Sequence, residues 1–155
     1  MKDKTACFTG HRDIPADHYA EINQQLIEVI IRLINRGYRF FGAGGALGFD
    51  TMAAQDVISL KKQYPHIRLI LVLPCVSQAN SWNAHEQAVY EMMKVQADKV
   101  VFTSTEYTKG CMHKGNRHLV DSSSVCICYL TMPTGGTAYT VDYARRKGLE
   151  IINIA

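Results

Sequence analysis

Ile67-Arg68-Leu69-Ile70-Leu71-Val72-Leu73 holds a single charged side chain in an otherwise apolar run. A strand with one wet face alternates apolar and polar residues, whereas an unbroken apolar run of this length fits a strand covered on both faces, as in a parallel sheet. Pro74 ends it, because proline lacks the N–H a sheet ladder needs.

Working outward, strand-like and helix-like runs alternate. Residues 5–9 form a β-prone run that stops at Gly10-His11-Arg12. Pro15 and Asp17 then supply a break and a candidate N-cap for a helix to Arg36, with Ile22, Leu26, Val29, Ile30 and Leu33 at helical spacing and Gly37 as its stop. Residues 38–41 read as the second strand. After a glycine loop, Asp50 or Thr51 can cap a helix over 51–63 that carries Met52, Ala53, Val57 and Ile58. Beyond Pro74 come a helix over about 81–97, a strand at 99–102 and a polar loop at 103–110. A short helix through Arg117 to Asp121, a strand at 125–130, a helix opening at Gly135-Gly136-Thr137 and a strand at 150–154 complete the chain. This alternation predicts an α/β fold: a Rossmann-like three-layer sandwich with right-handed crossovers and a largely parallel sheet of about six strands, in the order 3-2-1-4-5-6. Residues 1–155 read as one domain.

Gly42-Ala43-Gly44-Gly45-Ala46-Leu47-Gly48-Phe49-Asp50 joins the second strand to its helix. Its glycines allow a backbone closed to other residues, and they bring N–H groups to a helix start, where unpaired donors and the dipole favour an anion. The stretch reads as a phosphate cradle or, equally, as a tight turn without a ligand. It is not a P-loop, since Phe49 and Asp50 follow Gly48 where Lys and Ser or Thr are required. Nor is it the dinucleotide fingerprint, since Leu47 stands where the third glycine belongs.

Ligands of such sheets sit outside the carboxyl ends of the strands. The candidate ligand-binding residues fall there: Gly10, His11 and Arg12 after strand one, Gly44, Gly45, Ala46, Gly48 and Asp50 after strand two, and Gly135, Gly136 and Thr137 after strand five. In the order 3-2-1-4-5-6 the loops after strands two and five are ~14 Å apart, a span that suits a nucleotide. One helix terminus contributes about 0.3–1 kcal/mol toward an anion while micromolar binding needs about 8, so Arg12, His11 and Arg117 are the cations expected to help. The competing roles are local: a surface arginine at Arg12, a turn cap at His11, an N-cap at Asp50 and an Arg117–Asp121 pair at i, i+4.

The net charge of +3 does not require nucleic acid, and no apolar run reaches the ~18 residues of a membrane span. With no signal-peptide pattern, the expected location is the cytoplasm. Five cysteines without a CxxC pair read as buried hydrophobes, and no metal site is spelled out: His85-Glu86 lacks the second histidine of a zinc-protease helix.

Thr9-Gly10-His11-Arg12, the loop from Gly44 to Asp50, Pro74 with Gln78 and Trp82, Asn116-Arg117-His118-Leu119-Val120-Asp121, and Gly135-Gly136-Thr137-Ala138-Tyr139-Thr140 occur in this order. Over nearly its whole length the chain resembles the SLOG superfamily, which joins the DprA/Smf proteins and the LOG phosphoribohydrolases, and within it the YpsA-like branch. The resemblance implies a Rossmann-like fold, a site for a nucleotide or ADP-ribose-like ligand at the glycine loops, and a homo-oligomer. Three functions follow: binding or sensing of a phosphorylated nucleotide-derived molecule, N-glycosidic hydrolysis of a nucleoside monophosphate, and, ranked last, single-stranded DNA binding. LOG enzymes carry a glutamate one turn after their glycine motif. Here Pro133-Thr134-Gly135-Gly136-Thr137-Ala138-Tyr139-Thr140 has none, and the catalytic residues are not assigned.

Overall fold

The computed structural model describes residues 1–155. Six parallel strands, β1 (Thr5–Gly10), β2 (Phe40–Ala43), β3 (Arg68–Leu73), β4 (Lys99–Phe102), β5 (Val125–Tyr129) and β6 (Glu150–Asn153), form one sheet in the order β4-β3-β2-β1-β5-β6. Helices α1 (Tyr19–Asn35), α2 (Phe49–Leu60), α3 (Ala84–Gln96), α4 (Cys111–Asp121) and α5 (Gly136–Arg146) are the crossovers. Because such crossovers are right-handed, α1 to α3 share one face and α4 and α5 the other. The two faces are unequal. A core of 28 buried residues, including Leu26, Ile30, Leu33, Phe41, Leu69 and Leu71, lies under α1 to α3. Only 9 buried residues make the core under α4 and α5, so that face is less completely covered.

The architecture is the expected one, with one strand in a different place. β4 lies at the sheet edge beside β3, not between β1 and β5. The burial pattern gives the reason. β5 is buried along its whole length, whereas β4 and β6 are exposed at both ends and start with Lys99 and Glu150, charges that an edge tolerates and a centre does not. The loops after β2 and β5 are therefore two spacings apart, about 10 Å instead of ~14 Å.

The second strand also starts later than expected. Gly37 (φ 97°) donates its N–H to Ile34, and Tyr38 donates to Leu33, which makes a Schellman ending of α1. Tyr38 thus belongs to the helix stop, and pairing begins at Phe40, opposite Thr5 and Arg68. Asp17 lies within a 3-10 turn (Ala16–His18) before α1 and makes no cap bond. α3 starts at Ala84, behind a reciprocal cap in which Asn83 accepts from the Glu86 N–H and the Glu86 carboxylate accepts from the Asn83 N–H.

Candidate functional site

The strand order reverses between β1 and β5, and a cleft of ≈ 580 Å³ opens at the carboxyl ends there. Its floor comes from β1 and the first glycine loop, which are locked together. Phe49 donates its N–H to His11 O at 3.1 Å. Gly48 (φ 79°), the N-cap of α2, lies so close to the Arg12 carbonyl that a Cβ would collide with it. A Cβ on Gly10 would likewise run into the Phe49 ring, which is fully buried. Glycine is needed at both places for close approach, and at Gly48 also for its positive φ.

Asp50 does not cap the helix. It is the second residue of α2, buried, and its carboxylate turns back to accept from the Ala46 N–H at 3.3 Å. Burial pushes its pKa up to about 7, opposed in part by the Ala46 N–H, the Arg12 charge and the Gly44 N–H. Gly45 (φ 75°) points away from the cleft, toward Leu73 and Tyr90. The Gln78 amide donates to the Gly44 carbonyl at 3.4 Å and to the Tyr90 hydroxyl at 3.2 Å on that side.

The second glycine turn is different in kind. Gly135 (φ 105°) precedes α5 with no side-chain cap, and a Cβ on either Gly135 or Gly136 would meet nothing within 4 Å. The N–H groups of Gly136, Thr137 and Ala138 go to no turn or loop carbonyl, and the first donor used is that of Tyr139, to Gly135 O at 3.0 Å. Open donors at a helix start are the arrangement that suits an anion. In the first loop the Ala46 N–H is taken by the Asp50 carboxylate and the Phe49 N–H by His11 O, while the N–H groups of Asp50 and Thr51 go to no turn or loop carbonyl. The two glycine turns thus reach one cleft, but the first sets the Asp50 carboxyl into it while the second brings open amides without an acidic side chain.

His11 ties the rims together. Its Nε2 accepts from the Thr131 N–H at 2.9 Å, which makes the ring neutral with its proton on Nδ1. Arg12, exposed beside it, is the one Lys or Arg among the lining residues.

The sequence model of YpsA, described as the YspA SLOG family, matches residues 9–150. This chain belongs to that family. Among curated relatives, a UPF0398 protein of Brevibacillus brevis is 25% identical over 131 residues, covering 83% of this chain and 70% of the relative. A UPF0398 protein of Halalkalibacterium halodurans is 27% identical over 129 residues, covering 81% and 68%. Two solved structures share the fold. DNA processing protein A of Helicobacter pylori, described with a single-stranded DNA binding mode, has a TM-score of 0.66 at 18% identity and covers 97% of this chain. DprA of Streptococcus pneumoniae has a TM-score of 0.66 at 13% identity, also over 97% of this chain. The chain spans 64% and 50% of those two proteins.

In this YpsA-family chain, nine of the twelve expected residues line the cleft: Gly10, His11, Arg12, Gly44, Ala46, Asp50, Gly135, Gly136 and Thr137. Gly45, Gly48 and Arg117 do not. Arg117 lies on α4, and it does not pair with Asp121. Its Nη1 donates to the Tyr139 hydroxyl at 2.9 Å, while Asp121 accepts from the Tyr143 hydroxyl at 2.8 Å. The wall that α4 contributes is instead Met112, His113, Gly115 and Asn116. The spacing of Met112 and Asn116, one turn apart, was the available signal, since residues i and i+4 share a helix face. The His113 ring packs on Tyr139 with centroids 4.0 Å apart. No helix is long and apolar enough to cross a membrane.

Proposed function

We propose that the cleft binds a phosphorylated nucleotide-derived small molecule. The phosphate sits against the N–H groups of Gly136 and Thr137 and is gripped by Arg12, while the sugar turns toward Asp50 and Asn116. The observation that carries this reading is the difference between the two glycine turns: at α5 open donors with no acidic side chain beside them, and at α2 a buried carboxyl that would repel a phosphate but accept from a ribose hydroxyl. The two ends lie about two strand spacings apart, roughly 10 Å, which a pentose phosphate can bridge.

A panel of nucleoside mono- and diphosphates and ADP-ribose, read by thermal shift, tests it. Stabilisation by at least one member, lost in Arg12→Ala and in Gly136→Val, is expected. A flat response across the panel would sink the reading.

Asp50 supports a second reading, N-glycosidic hydrolysis. A carboxyl with its pKa pushed up to about 7 is partly protonated at neutral pH and can protonate a departing base while water adds to the sugar C1′. Free base released from a nucleoside monophosphate, and abolished by Asp50→Asn, would establish turnover. A third reading, single-stranded DNA binding, draws on the exposed Tyr107 with Lys109 two residues on, a stacking and phosphate-contacting pair. A gel shift at low and moderate salt tests it.

A further inference from the structure

The less covered face of the sheet carries a second concavity, of ≈ 280 Å³, toward the amino ends of the strands and beside the last turns of α4. Phe40, Ile70 and Val101 from β2, β3 and β4, with Leu119 of α4 and the exposed Met1, give it an apolar lining. The pairing register explains why these side chains lie together. Phe40 is opposite Arg68 and Ile70 is opposite Lys99, so Phe40, Arg68, Ile70, Lys99 and Val101 all point to this face, while Phe41, Leu69 and Leu71 fill the larger core. No helix covers Phe40, Ile70 and Val101 completely, and each is only partly buried.

Lys99 is the one Lys, Arg, Asp or Glu among the residues that line the groove, and further cations lie beside it. His118 lines it too. The Arg39 guanidinium sits over the Phe40 ring at 5.7 Å, and Arg68 is held at the start of β3 by bonds to the Pro65 and Ile67 carbonyls, both 2.9 Å. The carboxylates adjacent in sequence are already engaged, Asp3 at the edge of the groove and the others away from it. Asp3 pairs with the Met1 ammonium at 3.5 Å, Asp98 with Lys61 at 2.7 Å and with the Leu69 N–H at 2.8 Å, and Asp121 with Tyr143.

We propose that this groove docks an acidic, hydrophobic segment of a partner protein. An apolar anchor of the segment enters between Phe40, Ile70 and Val101, and flanking carboxylates meet Lys99, Arg39 and Arg68. A second copy of this chain fits poorly. A two-fold interface sets the same patch against itself, so these cations would face their own copies in a chain whose net charge is already +3. A bilayer fits poorly too, because Phe40, Ile70 and Val101 are partly buried beside α4 and only Met1 of the apolar lining is exposed.

The test uses a short fluorescein-labelled peptide in which Leu and Phe are flanked by Glu, with a twin carrying Lys for Glu, and reads anisotropy on the whole chain. The Glu peptide should bind saturably and more weakly as salt rises, and the Lys twin should not bind. Val101→Asp and Lys99→Glu should each weaken binding about tenfold or more, the effect expected of a central anchor or of a charge meeting its opposite. Lys99 is exposed, so Lys99→Glu should leave the melting temperature unchanged and keep the test independent of folding. Four results would overturn the proposal: no binding, equal binding of both peptides, a dimer that the Lys99→Glu change dissociates, or groove-dependent sedimentation with phosphatidylglycerol vesicles.

Discussion

The Thr131 N–H donates to His11 Nε2 at 2.9 Å, so the segment leaving β5 is fastened to the segment leaving β1. It is a bond between residues 120 positions apart, and it crosses the place where the strand order reverses. The turn at residues 131–136, all exposed, has its other fastening in Asn153 of β6, which exchanges two hydrogen bonds with the Leu130 backbone at 3.1 and 3.0 Å.

Replacing His11 with Ala should release this turn. Losing one hydrogen bond costs about 1 kcal/mol, or about 2–4 °C in melting temperature for a domain of this size. Amide exchange at Thr131 should quicken more than that at Leu130. Unchanged exchange at Thr131 would show that the turn holds itself.

Asp50 and Asp56 are both buried, and burial pushes each pKa up from 3.8 to about 7. A carboxyl raised on folding favours the protonated native state, so its contribution is fully present below about 4 and is lost as pH rises through about 7, an effect on the order of a few kcal/mol for a fully buried group. Asp56, which the Asn23 amide can reach at 3.0 Å, should contribute less. Urea titrations of Asp50→Asn and Asp56→Asn at pH 5 and 8 should show a flattened pH dependence and a gain at pH 8. Only Asp50→Asn should alter ligand binding, because Asp56 is not among the cleft residues.

The glycines of the site should separate into two groups. Gly48→Ala forces a side chain to φ 79° and into the Arg12 carbonyl, and Gly10→Ala displaces Phe49. Strain and overpacking of this kind cost about 1–3 kcal/mol each, measurable by urea unfolding. Gly136→Ala meets nothing and should keep full stability while crowding the cleft. Loss of stability in Gly136→Ala would mean that the turn is not open as described.

Arg12 and Arg117 should behave differently although the sequence offers both as cations for the anion. Arg12→Ala should abolish the ligand-dependent thermal shift with little effect on the free protein. Arg117→Ala breaks a bond to Tyr139 and should cost about 1 kcal/mol of stability while leaving the shift in place. The reverse pattern would move the anion site to the α4–α5 side.

The sequence alone determined the elements and the rim on which the unusual residues collect. The apolar run over 67–73, the helical spacing of Ile22, Leu26, Val29, Ile30 and Leu33, and the two glycine turns are local patterns, set by side-chain periodicity and by backbone conformations available to glycine. Tertiary structure decided which neighbour each element takes. It put β4 at the edge, turned the Asp50 carboxylate onto the Ala46 N–H, drew Arg117 to Tyr139, and left Phe40, Ile70 and Val101 partly uncovered. Those outcomes depend on partners distant in the chain, and no window of sequence around a residue contains the groups that compete for its side chain.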